Sequence, residues 1–395
     1  MIKIKKGCIA CGACVDICPV TALRLGKTGV IIDKNICIDC GICVKKCPQG
    51  VIAGKKILDK EIVRDIRLQV TRGCNFTCPW CFSDAAKPLE NELSLKEILP
   101  VVDQLISCGL VTMTLTGGEP LLRKDFSLGL LKYLRREKIY AKLFTNGSLL
   151  DEDSIRALSG IANEVQISLY DENYWPQIRL LVSRLKKSRI RVVLRATFTS
   201  KNYSRVKKII NFVEACGADA LRARPFVAKG RGSRHRDYLM NALEYKKSIG
   251  YLAVQRRDKR YPIQLLNPSF SFLYDKKIDP DLFTAKGFRG YTHCKCIEYT
   301  GTILPDGGVR ACGYFPQDLG NIRKEKFKKI WSMQGIKKHL IVDSLGPECS
   351  ACDYVVLCGG ACRANAYINS GSLTAADPNC PRLKAKDKIK RAVRA

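Results

Sequence analysis

Nineteen of the 21 cysteines in this 395-residue sequence fall into three groups with regular spacing. The middle group, Cys74, Cys78 and Cys81, supplies only three thiolates in a CxxxCxxC pattern. Thiolates at such spacing are typical ligands of iron–sulfur clusters, and a 4Fe–4S cluster held by three of them keeps one iron open to another ligand. We therefore expect the chemistry of this protein at that open iron.

The first sixty residues contain an internal duplication of a four-cysteine pattern that ends in Cys-Pro. In proteins with two clusters, the fourth cysteine of each run crosses to the other cluster. This arrangement predicts two ligand sets: Cys8, Cys11, Cys14 and Cys47 in one, and Cys37, Cys40, Cys43 and Cys18 in the other. Gly12 and Gly41 lie inside the ligand loops, where backbone amides must point at sulfur. The segment resembles bacterial two-cluster ferredoxins, and it predicts electron transfer.

Residues 62–285 alternate between strand-like and helical segments. Helices such as Leu95–Cys108 separate six predicted strands, which are Ile66–Thr71, Val111–Thr116, Ile139–Thr145, Glu164–Tyr170, Arg191–Phe198 and Ala220–Pro225. Six βα units in this order imply a parallel sheet curved into a partial or complete barrel. Within the strands, apolar residues alternate with polar ones, which predicts that the apolar face meets the helices and that the lumen is polar.

Several polar or glycine residues are expected where these strands end or face the lumen. Thr116–Pro120 contains two glycines and a glutamate after the second strand, and Asn146 follows the third strand. The strand alternation turns Arg195 inward, close to Ser168. An inward arginine needs an anionic partner, which could be a bound ligand or a carboxylate of the protein itself.

The segment TRGCNFTCPWCF at residues 71–82, followed by GGEP at residues 117–120, resembles the radical S-adenosylmethionine (SAM) enzymes. In that family the three-cysteine cluster binds SAM at its open iron, and an electron cleaves SAM to a 5'-deoxyadenosyl radical. The resemblance implies a set of SAM contacts: Gly117, Gly118 and Glu119 for the amino group, Asn146 beside them, Ser168 and Arg195 for the carboxylate and ribose, and Trp80 or Phe82 for adenine.

The third cysteine group, near the C-terminus, resembles the SPASM extension of radical SAM enzymes, including CGGAC at residues 358–362 and DPNC at residues 377–380. The likeness implies two auxiliary clusters, one on Cys294, Cys296, Cys312 and Cys362 and one on Cys349, Cys352, Cys358 and Cys380. In an alternative, Cys294 or Cys296 stays outside the first set, which opens that cluster to substrate or water. Sulfatase-maturing relatives place an acidic base directly after the cysteine that corresponds to Cys312, whereas this chain has Gly313.

Two other uses of so many cysteines, disulfides and structural zinc, fit less well. The sequence has three histidines, no export signal and no apolar run long enough to cross a membrane, which favours metal sites in a cytoplasmic protein. Cys108 and Cys216 stand apart from the patterns, and we expect them to be packed apolar residues. The formal charge of +31 favours acidic partners, anionic substrates or nucleic acid without choosing among them. We expect the basic segments Lys229–Arg236 and Arg256–Arg260 to be solvated faces.

The sequence thus predicts an α/β protein built on a partial (β/α)6 TIM-like barrel. A small α+β ferredoxin-like domain would precede the barrel and a cysteine-rich SPASM domain would follow it. The expected limits are 1–60, 62–285 and 290–382, with a basic tail at 383–395.

The expected cofactors are five 4Fe–4S clusters and SAM, and the electron donor is a ferredoxin or flavodoxin. The preferred activity is radical modification of a peptide or protein; the alternatives are tailoring of a tetrapyrrole or other cofactor, then nucleic-acid modification, then a non-catalytic electron carrier.

Overall fold

A computed structural model describes residues 2–55, 63–266, 270, 273–274, 299–331 and 345–383. The predicted ligands Cys294 and Cys296 and nearly all of the basic tail lie outside these residues. No helix in the described ranges combines the length and the apolar character needed to span a bilayer.

A ten-stranded sheet forms the centre of the protein, in the order β11-β10-β9-β8-β7-β6-β5-β12-β13-β14. The strands from β11 to β12 run parallel, and β13 and β14 add antiparallel pairs. Their bounds are β5 Asp65–Gln69, β6 Thr112–Thr116, β7 Tyr140–Thr145, β8 Glu164–Leu169, β9 Arg191–Phe198, β10 Ala220–Pro225, β11 Ile263–Leu265, β12 Thr300–Ile303, β13 Gly308–Arg310 and β14 Gly320–Asn321. The six predicted strands are confirmed as a partial barrel, and the sheet extends beyond them at both edges without closing.

Helices cover the outer face of this sheet. They are α3 Leu95–Ser107, α4 Lys124–Arg136, α5 Glu152–Leu158, α6 Trp175–Lys187, α7 Val206–Cys216, α8 Ala242–Tyr245 and α9 Tyr251–Gln255. Ser94 and Glu97 form a capping box at the start of α3, and Gly217 ends α7 in the left-handed region. The apolar strand residues, such as Met113 and Leu115, are fully buried with the helices in one core. Burial of this apolar face therefore leaves the polar face of each strand for the lumen, as the alternation predicts.

The N-terminal module has its own small core. Two two-stranded antiparallel sheets surround the helices α1 Ala13–Ile17 and α2 Ile42–Lys46; the strands are β1 Lys3–Ile4, β2 Leu23–Leu25, β3 Val30–Ile32 and β4 Ile52–Ala53. Gly12 and Gly41 precede the two helices with φ of 83° and 79°. Because these values favour glycine, the duplicated sequence repeats the same turn twice.

Short helices make up the described part of the C-terminal region: α10 Phe327–Ile330, α11 Pro347–Ser350, α12 Val355–Cys358 and α13 Arg363–Ser370. The region joins the barrel through β12, which pairs in parallel with β5. The strand before the three-cysteine loop therefore lies between β6 and an element that leads into the C-terminal cysteines.

Candidate active site

The loop that carries Cys74, Cys78 and Cys81 follows β5 and is held by the carboxylate of Glu92. One oxygen of Glu92 accepts hydrogen bonds from the Thr71 hydroxyl at 2.9 Å, from the Arg72 amide at 2.7 Å and from the Leu89 amide at 3.0 Å. The guanidinium of Arg123 lies 3.6 Å from the other oxygen. Glu92 belongs to no motif, so sequence reasoning did not select it.

The turn after β6 packs directly on the start of the cysteine loop, which explains its two glycines. The Gly118 amide donates to the carbonyl of Thr71, and the Glu119 amide donates to the carbonyl of Gly73, both at 2.8 Å. A Cβ at Gly118 would lie 1.9 Å from the Gly73 carbonyl oxygen, and one at Gly117 would lie 2.5 Å from that of Thr71. Only glycine allows this approach.

Glu119 is completely buried and braces two strand ends. Its carboxylate accepts from the Thr145 hydroxyl at 2.7 Å and from the amides of Asn146 at 2.8 Å and Leu121 at 3.1 Å. Burial raises its pKa, and these hydrogen bonds oppose the rise. The side-chain amide of Asn146 donates to the side-chain oxygen of Asn75 in the cysteine loop at 2.9 Å. The two turns and the loop therefore form one hydrogen-bonded unit.

A cavity of about 270 Å³ opens at the carboxyl ends of the strands. Its lining includes the three cysteines and most of the predicted SAM contacts: Cys74, Cys78, Cys81, Trp80, Phe82, Gly117, Gly118, Asn146, Ser168 and Arg195. Ser168 and Arg195 are paired neighbours on β8 and β9. Glu119 is the one predicted contact that is not among the lining residues.

The three thiols have surroundings that suit cluster ligands. The sulfur of Cys74 accepts from the Phe76 amide and that of Cys81 accepts from the Ala85 amide, each at 3.4 Å. Burial and the neighbouring cysteines raise the pKa of Cys78 to about 11, and a hydrogen bond from Tyr170 opposes the rise. Three thiols beside a cavity, two with amide donors and one with a hydrogen bond from Tyr170, fit a 4Fe–4S cluster with a ligand on its open iron.

Tyr170 also organises the aromatic wall of the cavity. Its ring centre lies 5.6 Å from that of Phe76 and 6.1 Å from that of Trp80. The alternation of β8 predicted that Tyr170 faces the lumen, although its contact with the cysteine loop could not be read from the sequence. The ring therefore fixes the tip of the loop as well as one side of the cavity.

Three arginines line the inner part of the cavity: Arg195, Arg222 and Arg224. Arg195 donates to the amide oxygen of Gln166 at 2.6 Å and lies 4.2 Å from the ring centre of Phe144. Among the described residues it has no carboxylate partner, so the alternative of an internal ion pair is not what the structure shows. Burial and the charges of Arg222 and Arg224 lower the pKa of Arg195.

Arg224 presents its guanidinium between two aromatic rings. The group lies 5.5 Å from the ring centre of Phe82 and 5.4 Å from that of Tyr314, and its Nε donates to the Thr197 hydroxyl at 3.1 Å. Burial lowers its pKa to about 10. Arg222 lies 3.8 Å from the carboxylate of Glu164, whereas Arg195 and Arg224 form no ion pair among the described residues. Two cations without a paired carboxylate favour an anionic ligand.

The electrostatics of the N-terminal cysteines agree with the two crossed sets, which themselves stay a prediction. Burial raises the pKa of Cys11 to about 12, and the charges of Cys47 and Cys8 add to the rise. In the other set, burial and the charges of Cys18 and Cys37 raise the pKa of Cys40 and of Cys43. The charge of Cys47 thus acts on the first run and that of Cys18 on the second.

The predicted set of Cys349, Cys352, Cys358 and Cys380 lies wholly within the described residues, and burial and mutual charge raise the pKa of Cys358, Cys380 and Cys349. Asp377 of the DPNC segment connects this set with Cys362. The Cys362 amide donates to the Asp377 carboxylate at 3.0 Å, and the Cys380 amide donates to its carbonyl at 2.8 Å. The set of Cys312 and Cys362 stays a prediction, because its other two members lie outside the described residues.

The basic segment after β10 is packed against the cysteine loop and is not the solvated face that we expected. A Cβ at Gly230 would lie 2.5 Å from the Phe82 carbonyl oxygen, and the guanidinium of Arg231 lies 3.6 Å from Asp84. Lys229 donates to the carbonyl of Gly313 at 2.5 Å, and burial and nearby Arg310 lower its pKa to about 8. A lysine therefore lies beside the position where sulfatase-maturing relatives carry an acid.

Three family models match the chain in the order that the sequence predicts. The 4Fe-4S dicluster domain matches residues 7–51, the Radical SAM superfamily matches residues 68–211, and the SPASM iron-sulfur cluster-binding domain matches residues 294–353. These matches agree with the barrel and the three-cysteine cavity, which together define the class of a SAM-dependent radical enzyme.

The curated relatives include proteins with different substrates. An AdoMet-dependent heme synthase of Oleidesulfovibrio alaskensis is 26% identical over 351 residues, which are 81% of this chain and 88% of that protein. A PqqA peptide cyclase of Granulibacter bethesdensis is 24% identical over 347 residues, which are 83% of this chain and 89% of that protein.

Among solved structures, Streptococcus suis SuiB bound to its precursor peptide SuiA is similar in fold, with a TM-score of 0.64, 15% identity and coverage of 82% of this chain and 76% of that one. The chain contains a Radical SAM domain match over residues 68–211, with a dicluster ferredoxin-like segment before it and a SPASM segment after it. It is an enzyme whose domains indicate 4Fe–4S clusters and SAM as cofactors.

Proposed function

We propose that this enzyme cleaves SAM at the cavity of Cys74, Cys78 and Cys81 and uses the resulting radical to modify a peptide or protein. The observation that carries the proposal is that these three thiols line one cavity with Gly117, Gly118, Ser168 and Arg195. When bound, a reduced 4Fe–4S cluster supplies the electron that breaks the carbon–sulfur bond of SAM. The residues around it must then hold SAM and the substrate close together and exclude water.

The lining residues divide the binding of SAM among them. The Gly117–Gly118 backbone provides carbonyls for the amino group, as the family resemblance implies. Arg195 and Ser168 meet the carboxylate and ribose, and Arg195 is already held in place by Gln166 and Phe144. Trp80 approaches adenine from the Tyr170 side. For Glu119 we propose an indirect part, because its carboxylate is taken up by Thr145 and two amides.

The size of the cavity supports a substrate that inserts only a small group. Its volume of about 270 Å³ lies near the lower end of ligand pockets, which span roughly 300–1,000 Å³. A 4Fe–4S cluster and SAM would take up this space, so a substrate would reach them with a small group at the mouth of the cavity rather than enter as a whole. A peptide that presents one residue at the mouth of the barrel meets this condition, and the peptide cyclase relative acts on the peptide PqqA.

Tailoring of a tetrapyrrole is the second candidate, and the arginine cluster favours it. Tetrapyrroles that bear carboxylate arms could place one arm beside Arg224 and leave the ring at the mouth of the cavity. The heme synthase relative is about as similar to the chain as the peptide cyclase, at 26% against 24% identity, so identity does not choose between them. A carboxylate on a short arm, either a peptide side chain or a tetrapyrrole substituent, would suit the arginine cluster in both candidates.

The remaining predictions concern cofactor number, partners and organisation. We propose five 4Fe–4S clusters, on the sets described above, and a cytoplasmic enzyme with the domain limits predicted from sequence. Residues 1–60 carry 11 Lys or Arg against four Asp, which supports an acidic ferredoxin or flavodoxin as electron donor. Electron transfer from such a donor should slow as ionic strength rises, and a rate that stays constant would exclude this docking.

Anaerobic reconstitution tests the activity itself. The full-length protein should hold about 20 irons, as five 4Fe–4S clusters require, and should release 5'-deoxyadenosine when given SAM and a strong reductant. Incubation with peptides encoded beside the gene, and separately with an iron–coproporphyrin, followed by mass spectrometry, then separates the two substrate classes. A mass change in the peptide alone supports the first candidate, and a change in the tetrapyrrole alone replaces it with the second.

A further inference from the structure

The N-terminal module and the C-terminal cysteine region meet at a small apolar contact. Cys11 and Ala13 pack there against Tyr354 and Cys358, and Ile9 and Leu273 complete the cluster. Cys11 belongs to the set of Cys8, Cys14 and Cys47, whereas Cys358 belongs to the set of Cys349, Cys352 and Cys380. A cysteine from each of two different four-cysteine sets therefore lies in the same contact.

Buried polar bonds fix the helix next to this contact. Asp16 of α1 forms an ion pair of 2.7 Å with Arg256, and both side chains are buried. Its carboxylate also accepts from the Leu265 amide at 3.0 Å. The side-chain amide of Gln264 donates to the carbonyls of Val15, Asp16 and Cys18 at 3.0, 3.1 and 2.8 Å.

Gly12, just before α1, allows this close approach. It has a φ of 83°, and a Cβ there would lie 2.5 Å from the Arg256 guanidinium. Buried and well-bonded polar groups of this kind specify one docking geometry, because any shift leaves them unpaired. The position of Cys11 against Tyr354 and Cys358 is therefore built into the docking.

The other cysteine set of the module faces a different part of the protein. Cys40 packs with Ile17, Ile42 and Tyr299. The carbonyl of Tyr299 accepts from the amides of Arg64 and Asp65, at the amino end of β5. One set thus contacts the C-terminal cysteine region, and the other contacts the barrel at the amino end of β5.

We propose that the N-terminal module exchanges electrons directly with the C-terminal cluster of Cys349, Cys352, Cys358 and Cys380, through the contact of Cys11, Tyr354 and Cys358. This inference rests on the proposed function, since both sets must hold 4Fe–4S clusters. In each exchange one electron leaves a reduced cluster and enters an oxidised one; no bond forms or breaks and no proton moves. A ferredoxin or flavodoxin outside the protein supplies or removes that electron. The module is then the redox partner of the auxiliary region and does not serve the SAM cavity alone.

Electron paramagnetic resonance of the full-length, partly reduced protein tests the proposal without reference to activity. Reduced clusters in the two sets should broaden or split each other's signals. The double substitution Cys349→Ala and Cys352→Ala should remove this interaction from the module signal, whereas the control Cys78→Ala should leave it in place. Iron and sulfide analysis checks that each variant loses one cluster only.

A second pair of variants covers the case in which the double substitution fails to fold. Tyr354→Ala should weaken the interaction and slow electron arrival at the auxiliary cluster in stopped-flow absorbance, and Tyr354→Phe should keep both. A module signal that is the same in all these proteins would overturn the proposal. A protein that shows the interaction but releases no 5'-deoxyadenosine would instead remove the proposed activity and leave this inference standing.

Discussion

The guanidinium of Arg222 donates a hydrogen bond of 2.8 Å to the backbone carbonyl of Pro19. Arg222 lies on β10 and also lines the cavity of the three-cysteine loop, whereas Pro19 directly follows the predicted ligand Cys18. Lys142 on β7 donates to the same carbonyl at 3.2 Å. Arg222 therefore contacts the N-terminal module and also lines the candidate active site.

Replacement of Arg222 by Leu should loosen the module. Buried Glu164 lies 3.8 Å from Arg222 and would then keep only its ion pair with Arg191. We therefore expect the free energy of unfolding to fall by about 1–3 kcal/mol. Hydrogen exchange should increase in the Cys18–Thr21 backbone. Arg205→Leu is the control, because Arg205 lines the same cavity but pairs with partly exposed Glu172 and should change stability by about 0–1 kcal/mol. Equal effects of the two changes would refute the prediction.

The buried pair of Asp65 and Lys142 should make the barrel sensitive to acid. Their charged groups lie 2.9 Å apart, and Thr112 also donates to Asp65. Burial raises the pKa of Asp65, but the charges of Lys142 and Arg67 outweigh it and lower the pKa to about 2. Because the folded pKa is lowered, this stabilisation is complete above an unfolded pKa of about 3.9 and is lost as pH falls towards about 2.

Asp65→Asn tests this pair. The substitution leaves Lys142 buried without its carboxylate and should cost about 3–5 kcal/mol near neutral pH. Between pH 4 and pH 2 the variant should lose less stability than the native protein, as measured by thermal unfolding at each pH. A combined change of Asp65→Asn and Lys142→Met should recover part of the loss. Parallel pH profiles for native and variant proteins would contradict the assignment.

Gly118→Ala should disturb the cysteine loop through a steric clash alone. The added methyl would lie 1.9 Å from the Gly73 carbonyl oxygen, and overpacking of this kind costs roughly 1–3 kcal/mol or more. We expect less iron at the three-cysteine site and a lower melting temperature. Gly217→Ala is the control: it has a φ of 69° but nothing within 4 Å of its Cβ, so only backbone strain of roughly 1 kcal/mol applies. A milder effect at Gly118 than at Gly217 would show that the turn does not pack as described.

Arg224→Met should weaken binding of a substrate that carries a carboxylate. A hydrogen bond to a charged group contributes about 1.5–3 kcal/mol, so KM should rise by roughly 10- to 100-fold. Conversion of the substrate carboxylate to an amide should raise the KM of the native enzyme by a similar factor and leave the KM of the variant almost unchanged. Arg224→Lys should keep part of the binding. If the amide substrate loses as much with the variant as with the native enzyme, Arg224 does not meet the carboxylate.

Sequence reasoning found the elements whose patterns are local. The strands β9 and β10 have the predicted bounds, and the lumen placement of Ser168 and Arg195 follows from alternation alone. The crossing of Cys18 and Cys47 between the two ligand sets stays a prediction from spacing. Strand alternation and cysteine spacing are both visible within one stretch of sequence, so these features can be predicted without knowledge of tertiary contacts.

Contacts between distant segments could not be predicted in this way. Glu92 holds the cysteine loop through backbone amides, which any sequence provides, so no motif marks it. Arg256 looked like part of a solvated basic run, yet it is buried against Asp16, 240 positions away in the sequence. The two extra parallel strands that flank the six predicted ones, β11 and β12, are only three and four residues long, too short to show a period.

The most direct test measures SAM at the three-cysteine site. Cys78→Ala should retain the other clusters by iron analysis yet lower 5'-deoxyadenosine formation by at least about a hundredfold, the order of effect that even a small displacement of reacting groups can have. In the native enzyme, added SAM should change the paramagnetic resonance signal of this cluster, and the signal should be missing in the variant. Unchanged 5'-deoxyadenosine release by Cys78→Ala, or a native signal indifferent to SAM, would contradict the proposed site.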